Sequence, residues 1–193
     1  MPSASLRLAV VGAGAAGLVA ARELRREGHT PVVFERAAAV GGTWLYTPPA
    51  TSSDPLGAAA THSSLYASLR TNLPRETMGF LDFPFAAGAA AGSRDPRRFP
   101  GHEEVLRYVE AFARRFDLLR LVRFETEVLS VRREDGGRWA VTSRKLGEKG
   151  SSDEEFYDAV VVCNGHYTEP RIAVIPGNFG TIQFICDRVN LSF

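Results

Sequence analysis

The chain has 193 residues, 45% hydrophobic and 23% charged, which is enough for one sizeable globular domain with a real core. Its 23 basic and 22 acidic residues leave a net charge of +1, so there is no electrostatic case for nucleic acid or an anionic membrane surface. Two cysteines at no redox spacing and four histidines with no ligand-spaced pair give no metal site; the cysteine usage points to a reducing compartment, and we expect a cytoplasmic chain without a membrane span.

Residues 8–11 (LAVV) are a short apolar run of the kind buried in a parallel sheet. The run ends in Gly12-Ala13-Gly14-Ala15-Ala16-Gly17, a G-x-G-x-x-G. A helix is expected over 15–27, with Leu18, Ala21 and Leu24 on one face and Gly28 as its stop. Pro31 opens a second strand, Val32-Val33-Phe34, ending on Glu35. Gly12 permits the tight turn, Gly14 lets a diphosphate approach the backbone, and Gly17 allows the helix to pack closely on the strand. The first amides of the helix, with Ala13, Ala15 and Ala16 between the glycines, favour an anion there. Glu35 stands 18 residues after Gly17, close to the spacing of a carboxylate that binds ribose hydroxyls. The order strand, glycine turn, helix, strand, acid is the context a dinucleotide site requires; the bland alternative is a glycine-rich turn in a plain βαβ unit. Glu35 disfavours a 2′-phosphate, so FAD or NAD fits better than NADP, although Arg36 beside it could accept one. The apolar stretch 8–21 could be mistaken for a signal-peptide core, but it is too short to span a bilayer and its glycines fall at nucleotide-binding positions.

Gly41-Gly42-Thr43-Trp44 follows the acid. Taken alone, Trp44 reads as a core aromatic. Residues 47–64 are rich in Pro, Ser, Thr and Ala and read as an irregular loop. Residues 69–80 run LRTNLPRETMGF and continue into Asp82-Phe83-Pro84-Phe85. From spacing alone Asn72 reads as a turn cap before Pro74. An Ala/Gly loop covers 86–92, and the basic, Pro-rich stretch 94–102 reads as a solvated connection. A helix is expected over 103–116, with Leu106, Val109, Phe112, Ala113 and Phe116 inward. Strands are expected over 121–124 and 125–133, a hairpin turn at Asp135-Gly136-Gly137, a return strand over 138–144, and a charged loop over 145–155. Ala159 to Cys163 reads as a buried strand ending in Asn164-Gly165.

The acid after the second strand followed by G-G-x-W, together with LRTNLPRETMGF and DFPF, closely resembles the flavin-containing monooxygenases, in particular the plant glucosinolate S-oxygenase-like group. The resemblance implies an α/β fold: a Rossmann-like FAD-binding domain on a parallel sheet with an inserted antiparallel β-meander. It implies FAD and NADPH as cofactors and a small sulfur- or nitrogen-containing substrate, oxygenated through a flavin C4a-hydroperoxide. It carries cofactor contact to Gly42, Trp44 and Thr71 and places Asn72 beside the flavin's reactive edge, as the catalytic candidate. An amide both donates and accepts, so it can hold an oxygen intermediate or a nicotinamide without supplying a free proton. It matches Val128 to an adenine-contacting backbone position; a plain hairpin valine is the equal alternative.

The resemblance covers 6–177 and then stops. Residues 1–177 are therefore expected to form the FAD-binding domain and 178–193 a divergent tail, with the NADPH-binding domain absent. Two further readings stay open: a catalytically inactive FAD-binding remnant that partners a full-length relative, and an NAD-dependent dehydrogenase. Ile182, Phe184, Ile185, Val189, Leu191 and Phe193 in the tail are the apolar surface through which self-association is expected.

Overall fold

A strand of five residues, β1 (Arg7–Val11), occupies the middle of the fold, and its Ala9 and Val10 are completely buried. The structure is a computed structural model that describes residues 4–48, 65–88, 92–148 and 150–166. The expected tail, its apolar surface, the continuation of the family pattern beyond His166 and most of the loop 47–64 lie outside the described residues.

β1 has a parallel neighbour on each side. β2 (Thr30–Phe34) pairs Arg7 with Thr30 through Val11 with Phe34, and the late strand β7 (Ala159–Val162) pairs Leu8 with Ala159 through Val11 with Val162. A two-residue strand, β3 (Val122–Arg123), extends the sheet beyond β2, giving the order β3-β2-β1-β7. Parallel pairing demands crossovers, and the first is α1 (Ala15–Arg26), which buries Gly17, Leu18 and Ala21. Fully burying a side chain such as Leu18 stabilises by about 1.5–3 kcal/mol. The helix ends as its sequence directs: Arg25 and Arg26 face the negative end of the dipole, and Gly28, at φ +84°, takes the left-handed turn.

α3 (His102–Arg115) packs Val105, Tyr108, Val109, Phe112 and Ala113 into the same core as Leu18, Val10 and Val33. Its aromatic side meets Phe80, Phe83 and Phe85, with Phe80 4.6 Å from Phe112 and Phe85 4.6 Å from Tyr108 between ring centroids. Tyr108 fixes that segment with two bonds, accepting from the Phe80 amide at 2.7 Å and donating to the Phe83 carbonyl at 2.6 Å. A single turn, α2 (Arg75–Met78), precedes these aromatics.

The second sheet is antiparallel, in the order β4 (Thr126–Arg133), β5 (Trp139–Lys145), β6 (Asp153–Tyr157). The expected meander is present and has a third strand where the sequence reads as a charged loop. Asp153, Glu154 and Glu155 hide the alternation, because β6 has one wet face. There Glu154 meets Arg132 at 2.6 Å, while Tyr157 turns inward and is fully buried. Tyr157 stands edge-on to Phe34 at 6.0 Å, closing a small core with Ala9 and Val141 between the two sheets.

The basic stretch before α3 is solvated along Arg94 and Pro96–Phe99, as its composition suggests, but its end is anchored in the core. Pro100, His102 and Glu104 are buried, and Asp95 accepts bonds from the amides of Arg97 and Gly101. Within it Arg97 meets Asp95 at 2.7 Å, and Arg98 reaches back to Glu76 at 3.1 Å.

Candidate cofactor site

Gly12 leaves β1 at φ +106°, a conformation that side-chain-bearing residues rarely adopt, and its amide donates to the Phe34 carbonyl at 2.8 Å. A Cβ on Gly12 would lie 2.5 Å from the Cys163 carbonyl oxygen, so β7 closes on the turn directly. A Cβ on Gly17 would lie 1.9 Å from the Gly12 carbonyl oxygen. That is the close helix-on-strand contact expected of the third glycine. Gly14 is different: a Cβ there would reach only ordinary contact, 3.5 Å from the Gly42 Cα. Gly42, at φ +57°, brings its own backbone against Gly14, and the Gly41 amide donates to the Ala13 carbonyl at 3.1 Å. The two glycine segments, far apart in expected role, therefore form one wall.

The N-terminus of α1 is bare. Its N-cap is Gly14, which offers no side chain, and its first turn carries no acid. The opening amides at Ala15, Ala16 and Gly17 have no intrahelical acceptor, so the turn presents donors and positive dipole to an anion.

Glu35 is 6% exposed. Its Oε2 accepts from the Ala13 amide at 2.7 Å and its Oε1 from the Ala37 amide at 2.7 Å. The carboxylate thus ties the glycine turn to the end of β2, a role that spacing alone does not reveal. An ionised carboxylate has about four acceptor sites, so two remain for hydroxyl donors. Arg36 lies 4.0 Å from Glu127, a carboxylate that competes with any phosphate for it.

Trp44 closes a one-turn 3-10 helix (Gly42–Trp44), half-buried against the main core. The buried Thr71 is held by its amide, which donates to the Pro100 carbonyl at 2.9 Å; its hydroxyl donates to the Leu73 carbonyl at 2.8 Å. Asn72 is exposed and makes no hydrogen bond with the other described residues. Val128 pairs with Ser143 beside a bulge in β4 and packs on the Phe34–Tyr157 core, two residues after Thr126, whose amide donates to the Glu35 carbonyl at 2.9 Å. The structure therefore joins Gly12–Gly17, Glu35 and Gly41–Gly42 into one constellation, with Trp44 at its margin. Among the described residues no hydrogen bond connects Asn72 or Val128 to it.

Cys163 is half-buried, and burial pushes its thiol up from the ordinary range, as suits a small packing residue. Sequence reasoning passed over Arg75 and Glu104, both nearly fully buried beside the Asn72 loop. Nothing in the pattern PRETM or HEEVL distinguishes a buried charge from a surface one.

No helix among the described residues is long and apolar enough to cross a membrane. The sequence profile of the flavin-binding monooxygenase-like family matches residues 5–184. Flavin-containing monooxygenase FMO GS-OX-like 7 of Arabidopsis thaliana is 58% identical over 91% of this chain, which spans 38% of that relative. Among solved structures, S-allyl-L-cysteine S-oxygenase from Allium sativum is 58% identical, with a TM-score of 0.79 over 90% of this chain and 39% of its own. A steroid monooxygenase bound to NADP is 27% identical, with a TM-score of 0.60 over 84% of this chain and 26% of its own. The chain thus spans about two-fifths of the length of the curated relatives it matches.

Proposed function

This chain belongs to the flavin-binding monooxygenase-like family, and from that premise we propose that it provides the FAD-binding part of an NADPH-dependent monooxygenase acting on small sulfur- or nitrogen-containing molecules. Residues 4–166 supply the two sheets of that unit among those described. The observation that carries the reading is the glycine turn: a bare helix N-terminus, an unobstructed Gly14, and the Glu35 carboxylate with acceptor sites to spare.

The residues fit the group. The free amides at Ala15–Gly17, with the backbone of Ala13 and Gly14 alongside, would hold the diphosphate of FAD, and Glu35 would take the ribose hydroxyls. The Gly41–Trp44 segment would lie along the flavin, with Thr71 and Asn72 near its reactive edge and the backbone of Val128 near the adenine. Once bound, FAD would supply the redox chemistry, with NADPH as the hydride donor and dioxygen as the source of one oxygen atom for the substrate and one for water. The chain's own contribution is to bind, orient and exclude water, which explains a site without an acid–base pair. The sulfur substrate class is supported by the S-oxygenase from Allium sativum named above.

The test is an absorbance spectrum of the chain reconstituted with FAD, followed by NADPH under air. A bound-flavin spectrum supports the site, and its bleaching supports hydride transfer on this chain. A chain that is folded by circular dichroism yet retains no flavin at micromolar FAD would overturn the reading.

A further inference from the structure

Asn72 sits at the outer end of a loop whose two feet are fastened to one strip of chain. The Thr71 amide donates to the Pro100 carbonyl at 2.9 Å, the Arg75 amide to the Arg98 carbonyl at 3.0 Å, and the His102 amide to the Leu69 carbonyl at 3.1 Å. Arg70 forms an isolated bridge with Gly101. That strip is held in turn by two buried charges. Glu104, 1% exposed, accepts from the Arg94 amide at 2.7 Å, the Ser93 hydroxyl at 2.8 Å, Arg107 at 2.9 Å and the Asp95 amide at 3.2 Å. Arg75, 3% exposed, donates from Nε to the Arg97 carbonyl at 2.8 Å and from Nη2 to the Asp95 carbonyl. Its Nη2 lies 4.0 Å from Glu104 Oε2, and its guanidinium stands over the Phe85 ring at 4.7 Å.

A stability role alone accounts poorly for this pair. Arg75 Nη1 is buried with no partner among the described residues, and an orphaned donor is costly to desolvate. What a guanidinium supplies that an apolar side chain cannot is a rigid fork of donors, which fixes carbonyls in direction as well as distance. Asn72 has no bond of its own to the described residues, so its place is set by those feet.

We propose that Arg75, paired with Glu104, is a positioning residue that fixes Asn72 for its work at the flavin. This rests on the reading of Asn72 given under the proposed function. Glu104 is held in its charged form. Burial opposes ionisation of Glu104, but bonds from Arg94, Ser93 and Asp95 and the charge of Arg107 outweigh it and hold the carboxyl below its usual range.

The test uses the full chain with FAD and has two arms. In the first, 15N relaxation of Arg75→Lys, which keeps the charge but loses the fork, is compared with the wild type. The order parameters of Asn72 and Leu73 should fall from about 0.85 to below about 0.6, while Gly12–Gly17 and α3 keep theirs. An Asn72 as rigid as in the wild type overturns the proposal, whether or not flavin binds. In the second arm, at saturating FAD, Asn72→Ala and Arg75→Lys should displace the visible spectrum of bound flavin in the same direction. The double variant should add nothing, because Arg75 acts through Asn72. Additive displacements overturn the proposal. A spectrum unmoved by Asn72→Ala overturns the premise about Asn72, and the relaxation arm separates that outcome from a failure of the clamp. Should Arg75→Lys fail to fold, Glu104→Gln carries the same readouts; loss of fold in both marks the pair as structural and overturns the proposal.

Discussion

The glycine turn and the Asn72 loop carry two parts of one proposed site and are built from opposite materials. The turn is backbone against backbone: Gly17 on Gly12, Gly12 on Cys163, Gly42 on Gly14, with the Glu35 carboxylate the one side chain that fastens it. The loop is held through charged side chains and a strip of chain more than twenty residues away, with Arg75 reaching Arg97 and Thr71 reaching Pro100. A backbone-built site has few side chains to lose and, where its backbones touch, tolerates none gained. A charge-built one tolerates bulk but not loss of a partner.

The sharpest way to break that contrast is an added methyl group. In Gly17→Ala the new Cβ meets a carbonyl oxygen at 1.9 Å on rigid backbone, so neither side can give way. We expect a loss of about 4 kcal/mol or more, read by urea denaturation, a size reserved for severe steric faults. Gly14→Ala, with its nearest atom at 3.5 Å, should change stability by less than about 0.5 kcal/mol. It should nevertheless weaken FAD binding at least about tenfold, roughly 1.4 kcal/mol, by intruding on the diphosphate. A Gly14→Ala variant as unstable as Gly17→Ala would mean that all three glycines serve the fold and that none is kept for the ligand.

On the other side of the comparison, Glu104→Ala removes the acceptor of four bonds and leaves the buried guanidinium of Arg75 without its counter-charge. Breaking a buried pair in this way costs about 3–5 kcal/mol. The melting temperature should fall accordingly, while Glu104→Gln, which still accepts, should fall less. Equal stability of both variants with the wild type would show that the loop does not depend on its charges.

This difference in material also explains what could be read from the chain. The glycine turn is legible because its physics is local: the constraints lie within residues 7–35, and each leaves a glycine or an acid at a fixed spacing. The parallel sheet, α1, α3 and the first meander hairpin follow from periodicity for the same reason. β6 was hidden because its Asp153–Glu154–Glu155 run serves a wet face and long-range arginines, which a local window cannot see. The grip of residues 94–102 on Arg75 is illegible because nothing in a basic, Pro-rich string says that its carbonyls will accept from a buried guanidinium. The second function of Glu35, accepting from Ala13 and Ala37, was invisible because backbone donors carry no residue name.

A smaller effect tests the aromatic wall between the two regions. Tyr108→Phe deletes only an oxygen, but it strands the Phe80 amide and the Phe83 carbonyl, at a cost of about 1–2 kcal/mol. The packing of Phe80, Phe83 and Phe85 on α3 should survive, so near-ultraviolet circular dichroism should change little while the unfolding midpoint falls.

The smallest expected effect concerns the far end of the sheet, where charge again does what backbone does at the glycine turn. Glu155 accepts from Arg123 at 2.5 Å, the Tyr157 hydroxyl at 2.7 Å and Arg7 at 3.1 Å, so it pins β6 to β1 and β3. Arg123 first, helped by Tyr157 and Arg7 against burial, holds its carboxyl down at about 2. A lowered folded-state value means the stabilisation is complete above the ordinary 4.5 and is lost as pH falls from there through about 2. Tyr157 behaves oppositely. Burial, then its bond to Glu155, pushes the phenol up to about 12, so its share is complete below the ordinary 10 and fades as pH rises from 10 towards 12. Stability measured against pH should therefore decline on both limbs, and Glu155→Gln should flatten the acid limb between about pH 4.5 and 2. The glycine turn offers a contrast on the same chain: its contacts to Gly12 and Gly17 involve no titrating group. An acid limb unchanged in Glu155→Gln would mean that the two sheets are joined by the Phe34–Tyr157 core alone and that the ion pairs around it follow the junction instead of making it.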